Sequence, residues 1–339
     1  MSVTMKEIAK MAGVSITTVS MVINGKDQSI GAETKARVLR IIEEQQYVPN
    51  GIARSMITKQ TSTLGLLIPD ITNPYFASMA RGIEDAASKA GFHVILCNTD
   101  ESPEKEVEYL QLLRKQNVDG VILVSAAVVE HAERRIRKEI QKPLIFLDRR
   151  GRDQTEASVG FENRQGAYLA TKHLIEAGHR SIGCITGPLK NRSAAERYKG
   201  YQDALNEAGI KWNQDLIVEG DYQMAGGEAG IRRLKDKDIT ACFIANDWMA
   251  YGAYKACYEE GIQIPSDLSI VGFDDLMISQ AMIPPLTTIH QPNTEMGKTA
   301  VQQIVAWIQS GNQPKENTMF EPELVIRDSV CLKKEVPNG

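Results

Sequence analysis

The hydrophobic pattern of the chain changes character near residue 60. Upstream of it, apolar residues recur at helical spacing. Thr4-Met5-Lys6-Glu7 has the form of a capping box, with Thr4 at the N-cap and Glu7 at the third helical position. Ile8, Ala9, Met11 and Ala12 then share one helical face, and Gly13 closes the helix as a residue that tolerates positive φ. Val14 can pack beneath the turn, and Ser15 can cap a second helix over 16–23, which stops near Asn24-Gly25. Val19, Val22 and Ile23 form its buried stripe; Thr17, Thr18, Ser20 and Met21 face elsewhere. A third helix, over about 32–46, adds Val38, Ile41 and Ile42 to the same small core. Two short helices joined by a glycine turn are the helix-turn-helix arrangement, whose second helix lies in the major groove of DNA. After Tyr47, Pro49 opens a short helical stretch through Met56 that cannot hold by itself, and 59–62 reads as a linker.

Downstream, short runs rich in Val, Ile and Leu occur at 64–68, 94–97, 120–124, 144–147, 182–185, 216–219, 241–245 and 268–271. Helical periodicity fills 74–90, 104–116, 165–177, 194–208, 227–235 and 249–260. Alternation of strand and helix implies parallel sheets covered on both faces. The expected fold is an N-terminal all-α helix-turn-helix head followed by an α/β core of two doubly wound parallel-sheet subdomains.

Charge follows the same division. The net charge is −4, but residues 1–60 carry 8 Lys+Arg against 5 Asp+Glu, a net of +3, which leaves −7 for the remainder. A mildly basic module on an acidic body fits contact with a polyanion, although a small domain can be positive without that purpose. Hydrophobic residues make up 42% of the chain, too many for disorder. Five cysteines, an odd number with no C-x-x-C pair, argue against a disulfide framework and a structural zinc site. No run approaches the ~20 apolar residues of a membrane span. The start, MSVTMKEIAKMAG, lacks the apolar core of a signal peptide, so a cytoplasmic location without membrane contact is expected.

Catalytic motifs are missing. There is no G-x-G-x-x-G, G-x-S-x-G or H-E-x-x-H, and Gly297-Lys298-Thr299 lacks the leading glycine of a P-loop, with Pro292 in its place. No enzyme activity, cofactor or metal is expected. Polar and aromatic residues instead follow the strand ends, where open α/β sheets bind their ligands. Asp70-Ile71-Thr72-Asn73-Pro74-Tyr75-Phe76 follows the first run and Asp148-Arg149 the fourth. Thr186-Gly187-Pro188 leads to Arg197; Asn246-Asp247-Trp248, Phe273-Asp274-Asp275 and His290-Gln291-Pro292 follow later strands. Carboxylates, amides and guanidinium groups with aromatic rings suit a sugar, whose hydroxyls need acceptors and donors and whose C–H faces stack on rings. Structural readings stand beside this one. Asp148-Arg149 can be an ion pair, Tyr75 and Phe76 the buried start of a helix, and Asp274 a helix cap.

MKEIAKMAGVS-x-x-TVS-x-VIN followed by YVPN-x-x-ARS resembles the DNA-binding head and hinge of the LacI family of bacterial transcriptional repressors. The resemblance implies a head over 1–48, a hinge helix and linker over 49–62, an effector-binding and dimerisation domain over 63–330 and a tail over 331–339. Crossovers between the two subdomains are expected near 161, 290 and 320. It implies base reading by Ile16, Thr17 and Met21, where the apolar pair can touch thymine methyl groups but cannot make bidentate hydrogen bonds. Ile16 and Met21 can also be part of the core. Phosphate contacts are implied for Thr4, Ser15, Thr18, Asn24 and Tyr47, and hinge contacts for Asn50, Ala53 and Arg54. Met56 stands where the family carries an apolar minor-groove wedge, normally Leu.

The pattern DITNPYF, LDR, AAER-x-KG, AND, GFDD, HQP is similar to ribose-binding proteins and ribose-operon repressors. It implies a pentose held by Asn73, Asp148, Arg149, Arg197, Asn246, Asp274 and Gln291. Tyr75 and Phe76 would stack on it, Tyr222 would close one wall, and Asp247 would orient the cleft. Asn191 stands where a purine-responsive relative would carry Arg. The implied protein is a homodimeric repressor on a pseudo-palindromic operator in double-stranded DNA, controlled by a small sugar. No C-terminal heptad run suggests a tetramer. The alternatives are a catabolite-control regulator with a phosphorylated carrier protein as corepressor, suggested by 80–85, and a sugar-binding transport receptor.

Overall fold

A computed structural model describes residues 3–23, 25, 27–47, 60–124, 140–148, 157–315 and 317–333. Asn24, Asn50, Ala53, Arg54, Met56 and Arg149 lie outside the described residues, as does the expected hinge helix. The chain divides into two compact units, Met1–Thr61 and Ser62–Gly339.

The first unit holds helices α1 (Met5–Ala12), α2 (Ile16–Ile23) and α3 (Ala32–Glu44). Both halves of the capping box form at α1: the Glu7 amide donates to the Thr4 hydroxyl, and the Thr4 amide donates to the Glu7 carboxylate. Gly13, at φ 64°, ends the helix in the left-handed region. The Thr18 amide donates to Ser15 Oγ, which caps α2. Ile8, Ala9, Ala12, Val19, Val22, Val38 and Ile41 form the core, with Val14, Ile23, Ile42 and Tyr47 packed against it. The third helix ends at Glu44 rather than near Gln46, because Gln46 turns to φ 47° and leaves the helix.

The second unit alternates strands and helices. Strands β1 (Thr63–Ile68), β2 (His93–Asn98), β3 (Gly120–Leu123), β4 (Leu144–Asp148), β5 (Ser158–Phe161) and β11 (Thr318–Phe320) form one parallel sheet, in the order β11-β5-β4-β3-β1-β2. Helices α4 (Pro74–Lys89) and α5 (Pro103–Lys115) cover it, together with α10 (Asn293–Ser310). Strand alternation sorts β1 between two cores. Leu66 and Ile68 join Met79 and Ile83 of α4, while Leu67 joins Leu110 and Leu113 of α5.

The second sheet holds β6 (Ile182–Thr186), β7 (Ile217–Glu219), β8 (Ala241–Ile244) and β9 (Ser269–Val271), parallel and in the order β7-β6-β8-β9. Its helices are α6 (Asn163–Glu176), α7 (Arg192–Glu207), α8 (Met224–Leu234) and α9 (Asp247–Glu260). Strands β10 (Thr288–His290) and β12 (Glu323–Val325) pair antiparallel. The chain leaves the first sheet after Phe161 and enters α6; it returns after His290 into α10, and after Phe320 it passes to β12. Both sheets are doubly wound, so the unit has two α/β lobes with their strand ends available for a ligand.

Candidate functional site

In the head, Ile16 is 47% exposed, Thr17 is exposed and Met21 is half-buried. Neither Ile16 nor Met21 belongs to the core cluster, whose contribution from α2 is Val19 and Val22, with Ile23 packed beside them. Ile16 is thus a surface side chain, and Met21 a half-buried one outside that cluster. The hydroxyls of Ser15 and Thr18 lie 2.9 Å apart at the start of α2. Tyr47 packs its ring against the head core.

In the second unit, one cavity of about 60 Å³ gathers residues from both lobes. Asp70, Asn73, Tyr75, Phe76, Glu101 and Asp148 come from the first lobe; Ser193, Arg197, Asp221, Tyr222, Gln223, Asn246 and Asp274 come from the second. Eight of the ten expected effector residues are therefore brought together. Gln291 is placed behind the cavity wall, between Arg197 and Asp274. Asp70, Glu101, Ser193, Asp221 and Gln223 also line the cavity and were not expected; each lies within four residues of an expected one except Glu101. Glu101 follows β2, a strand end that carried no expected residue.

Local chemistry positions these groups. The Asn73 side chain caps α4 by accepting from the Tyr75 amide, and Asn246 caps α9 by accepting from the Met249 amide. Asp148 ends β4 at φ 64°, Tyr222 follows β7 at φ 64°, and Asp274 follows β9 at φ 117°. Positive φ in non-glycine residues costs energy and concentrates at ligand sites. Gly187 lets the Tyr222 ring close in, since a Cβ there would lie 2.2 Å from it.

Arg197 is 5% exposed and organises the floor. It donates to Asn163 Oδ1 at 2.7 Å, to the Ala245 carbonyl and to Gln291 Oε1 at 3.3 Å. Its guanidinium lies 3.5 Å from the Asp274 carboxylate and 3.7 Å above the Phe273 ring. Burial pushes the Asp274 carboxyl well above the ordinary range, with Arg197 pulling the other way. The Tyr75 hydroxyl donates to Asp148 Oδ1 at 2.8 Å, and burial beside Asp148 and Asp274 raises its pKa.

Asp247 is fully buried and does not line the cavity. It accepts from the Leu276 amide, Ser279 Oγ and Thr288 Oγ1, and so ties the start of α9 to the segment after Asp274 and to β10. Burial raises its pKa to about 6 against these three donors. Asn191, at the N-cap of α7, is buried as well.

Five carboxylates and one guanidinium line the cavity among the described residues. Such a wall accepts hydrogen bonds from hydroxyl groups and repels anions. No group of three or more His, Cys, Asp and Glu that could hold a metal occurs among the described residues.

Residues 4–50 match the family of bacterial regulatory proteins, lacI family, and residues 61–327 match the family of periplasmic binding proteins and sugar binding domain of LacI family. The chain is 39% identical to the ribose operon repressor of Haemophilus influenzae, over 98% of this chain and 99% of that one. It is 38% identical to the HTH-type transcriptional repressor PurR of Aliivibrio salmonicida, over 96% of this chain and 98% of that one. Among solved structures, a lac repressor dimer bound to operator and the anti-inducer ONPF is similar at a TM-score of 0.89 and 29% identity, over 98% of this chain and 100% of that one. The helix-turn-helix head, the paired α/β lobes and these likenesses over almost the whole length place the chain in the lacI family of bacterial regulatory proteins, which are DNA-binding repressors with an effector domain and not enzymes.

Proposed function

We propose that the protein is a cytoplasmic repressor that binds a pseudo-palindromic operator as a homodimer and answers to a pentose, ribose first among candidates. The observation that carries the effector reading is the wall of one cavity, where Asn73, Tyr75, Phe76, Asp148, Arg197, Tyr222, Asn246 and Asp274 meet with an excess of carboxylates. Carboxylates and amides take up sugar hydroxyls, and the perpendicular Tyr75–Phe76 ring pair offers an apolar face for C–H groups. Gln291 acts through Arg197 and Asp274. Arg149 continues the chain from Asp148 and is the second guanidinium of the proposed site. The likeness to a ribose operon repressor supports the same class of ligand.

On the DNA side, Ile16, Thr17 and Met21 read bases while Thr4, Ser15, Thr18, Asn24 and Tyr47 meet phosphates. Asn50, Ala53, Arg54 and Met56 engage the minor groove. The exposure of Ile16 and Thr17 outside the head core supports this assignment. Apolar readers favour thymine methyl groups, so the base pairs that Ile16 and Met21 meet are A·T pairs.

A purine effector is the second reading, favoured by the likeness to repressors named PurR. The buried amide of Asn191 and the acidic wall weigh against it. A thermal-shift screen of the full chain against ribose, other pentoses, hexoses, sugar phosphates and purines tests the choice. A ligand at 100 times its Kd adds about 2.7 kcal/mol and raises Tm visibly. Ribose should shift Tm and hypoxanthine or guanine should not. A purine shift alone would replace the pentose. Silence across the panel would favour a protein corepressor, although Arg81 pairs with Asp85 and Gly82 is packed against Thr294 of α10 on the helix such a partner would meet.

A further inference from the structure

The cavity between the lobes is smaller than the roughly 150 Å³ that accommodates a benzene ring, at about 60 Å³. A sugar ring enters only if the lobes separate, so whatever joins them at the rim governs entry and exit. Two rim residues meet across the divide. Asp70 follows β1 in the first lobe, and Gln223 precedes α8 in the second. Gln223 Nε2 donates to Asp70 Oδ2 at 3.3 Å, far in sequence from the three crossovers.

Both ends of this contact are set in place before they meet. The other Asp70 oxygen accepts from the Thr72 amide at 2.9 Å and the Thr72 hydroxyl at 2.6 Å. This fixes the carboxylate with Oδ2 turned to the opposite lobe. Partial burial pushes the Asp70 carboxyl upward, but the Thr72 and Gln223 donors outweigh it and hold the group below its ordinary range, and therefore ionised. The Gln223 amide donates to Asp221 Oδ1 at 2.8 Å, which holds the start of α8 in a tight turn. The neighbouring Ile71 amide donates to Asn98 Oδ1 at 2.7 Å and braces the Asp70 loop on β2. An ionised acceptor and an amide donor, each braced on its own lobe, form a contact that breaks and remakes without reorganising either side.

We infer that Asp70 and Gln223 are the latch of the effector cleft, a pair of positioning residues that sets how long the lobes stay closed on the ligand. This rests on the pentose reading of the cavity only for the choice of ligand. The latch has a polarity, which makes it testable. Gln223→Glu sets two carboxylates face to face and opens the rim. Asp70→Asn added to it restores a donor: the amide oxygen keeps the Thr72 contacts and the amide nitrogen points at Glu in position 223. Loss in the single variant with recovery in the double is not expected of two surface residues that act separately.

The readout that needs no ligand is a distance between spin labels on full-length protein. Lys115→Cys at the end of α5 and Lys211→Cys after α7 place one label on each lobe, both at exposed positions. Cys331→Ser removes the half-buried cysteine, the other four being buried. Gln223→Glu should add a distance population absent from the natural latch, and Asp70→Asn/Gln223→Glu should remove it. Identical distributions in all three overturn the latch. Stopped-flow dissociation of D-ribose is the second measurement. Gln223→Glu should release ribose roughly five- to tenfold faster, about what one like-charge contact near a surface provides, and the double variant should return towards the natural rate. Natural protein that fails to bind ribose counts against the pentose reading, and the distances then decide the latch alone.

Discussion

Arg197 is the residue on which the cleft turns. Four hydrogen-bonding or ionic partners and an aromatic face surround a guanidinium that is 5% exposed. Arg197→Ala would leave Asn163, Gln291 and Asp274 facing a void. We expect a loss on the order of 3 kcal/mol in urea unfolding and no detectable effector binding. Arg197→Lys keeps the charge but not the planar fork, so it should recover stability in part and binding hardly at all. Ribose binding that survives in either variant would move the ligand elsewhere. Asp247 makes a different kind of statement. An acid whose folded pKa is raised contributes stability that is full below its unfolded value and is lost as pH rises through the folded value. Burial takes Asp247 from 3.8 to about 6, so the loss falls between those two values. At about 1.4 kcal/mol per unit, natural protein should lose on the order of 3 kcal/mol relative to Asp247→Asn across that window. Urea midpoints of both proteins from pH 4 to 8 measure this, and parallel profiles would show that folding leaves the Asp247 pKa unshifted. Much of this chemistry was legible because strand ends announce themselves: Asp148 and Asn246 each directly follow an apolar run, and Asp274 stands three residues after one. Asn163, which braces Arg197, carried no such signal, and Phe273 stood at a strand end with nothing to show that it lies beneath the guanidinium. Their roles depend on α6 meeting α7 and on β9 ending beneath the guanidinium, contacts that span dozens of residues.

Elements were legible where a local rule acts alone. The capping box, the glycine stop and the serine cap of the head are short-range devices, and α1 and α2 form where those devices put them. Expected strands matched when both faces were buried, as in β1, β4 and β8, because an unbroken apolar run needs no partner to be recognised. The long α10 was not foreseen, although Met296, Ala300, Val301 and Ile304 carry its buried stripe. Its N-terminal stretch is polar, and its place is decided by α4, where Gly82 allows the Thr294 backbone to approach. Three-residue strands such as β10, β11 and β12 depend wholly on remote pairing. The head offers a direct test of a local device. Thr4→Ala deletes one half of the capping box and should cost about 1 kcal/mol, read as roughly fivefold faster amide exchange in α1. Thr4→Ser should leave exchange unchanged. If Thr4→Ala also leaves it unchanged, the helix is held by packing of Ile8, Ala9 and Ala12 rather than by its cap.

At the scale of the whole molecule, two tasks share one chain, and the exposure of Ile16 and Thr17 separates them. Because Ile16 and Met21 lie outside the head core, truncating them should not unfold the head. Ile16→Ala and Met21→Ala should each weaken operator binding by roughly 1 kcal/mol, the size of one apolar base contact. Effector affinity of the free protein should stay the same. Coupling obeys a stricter rule. If the effector changes operator affinity by some factor, the operator must change effector affinity by that same factor, whichever direction the response takes. Titrating D-ribose into full-length protein with and without operator, and operator with and without ribose, yields the factor twice. In Ile16→Ala the operator curve should move while the factor holds, if the altered side chain reads bases as proposed and takes no part in moving the lobes. A factor that falls with Ile16→Ala would mean that base reading and lobe movement are one event. The cleft would then be sensing which sequence the head has found, and the separation of tasks drawn from the exposed face of α2 would be wrong.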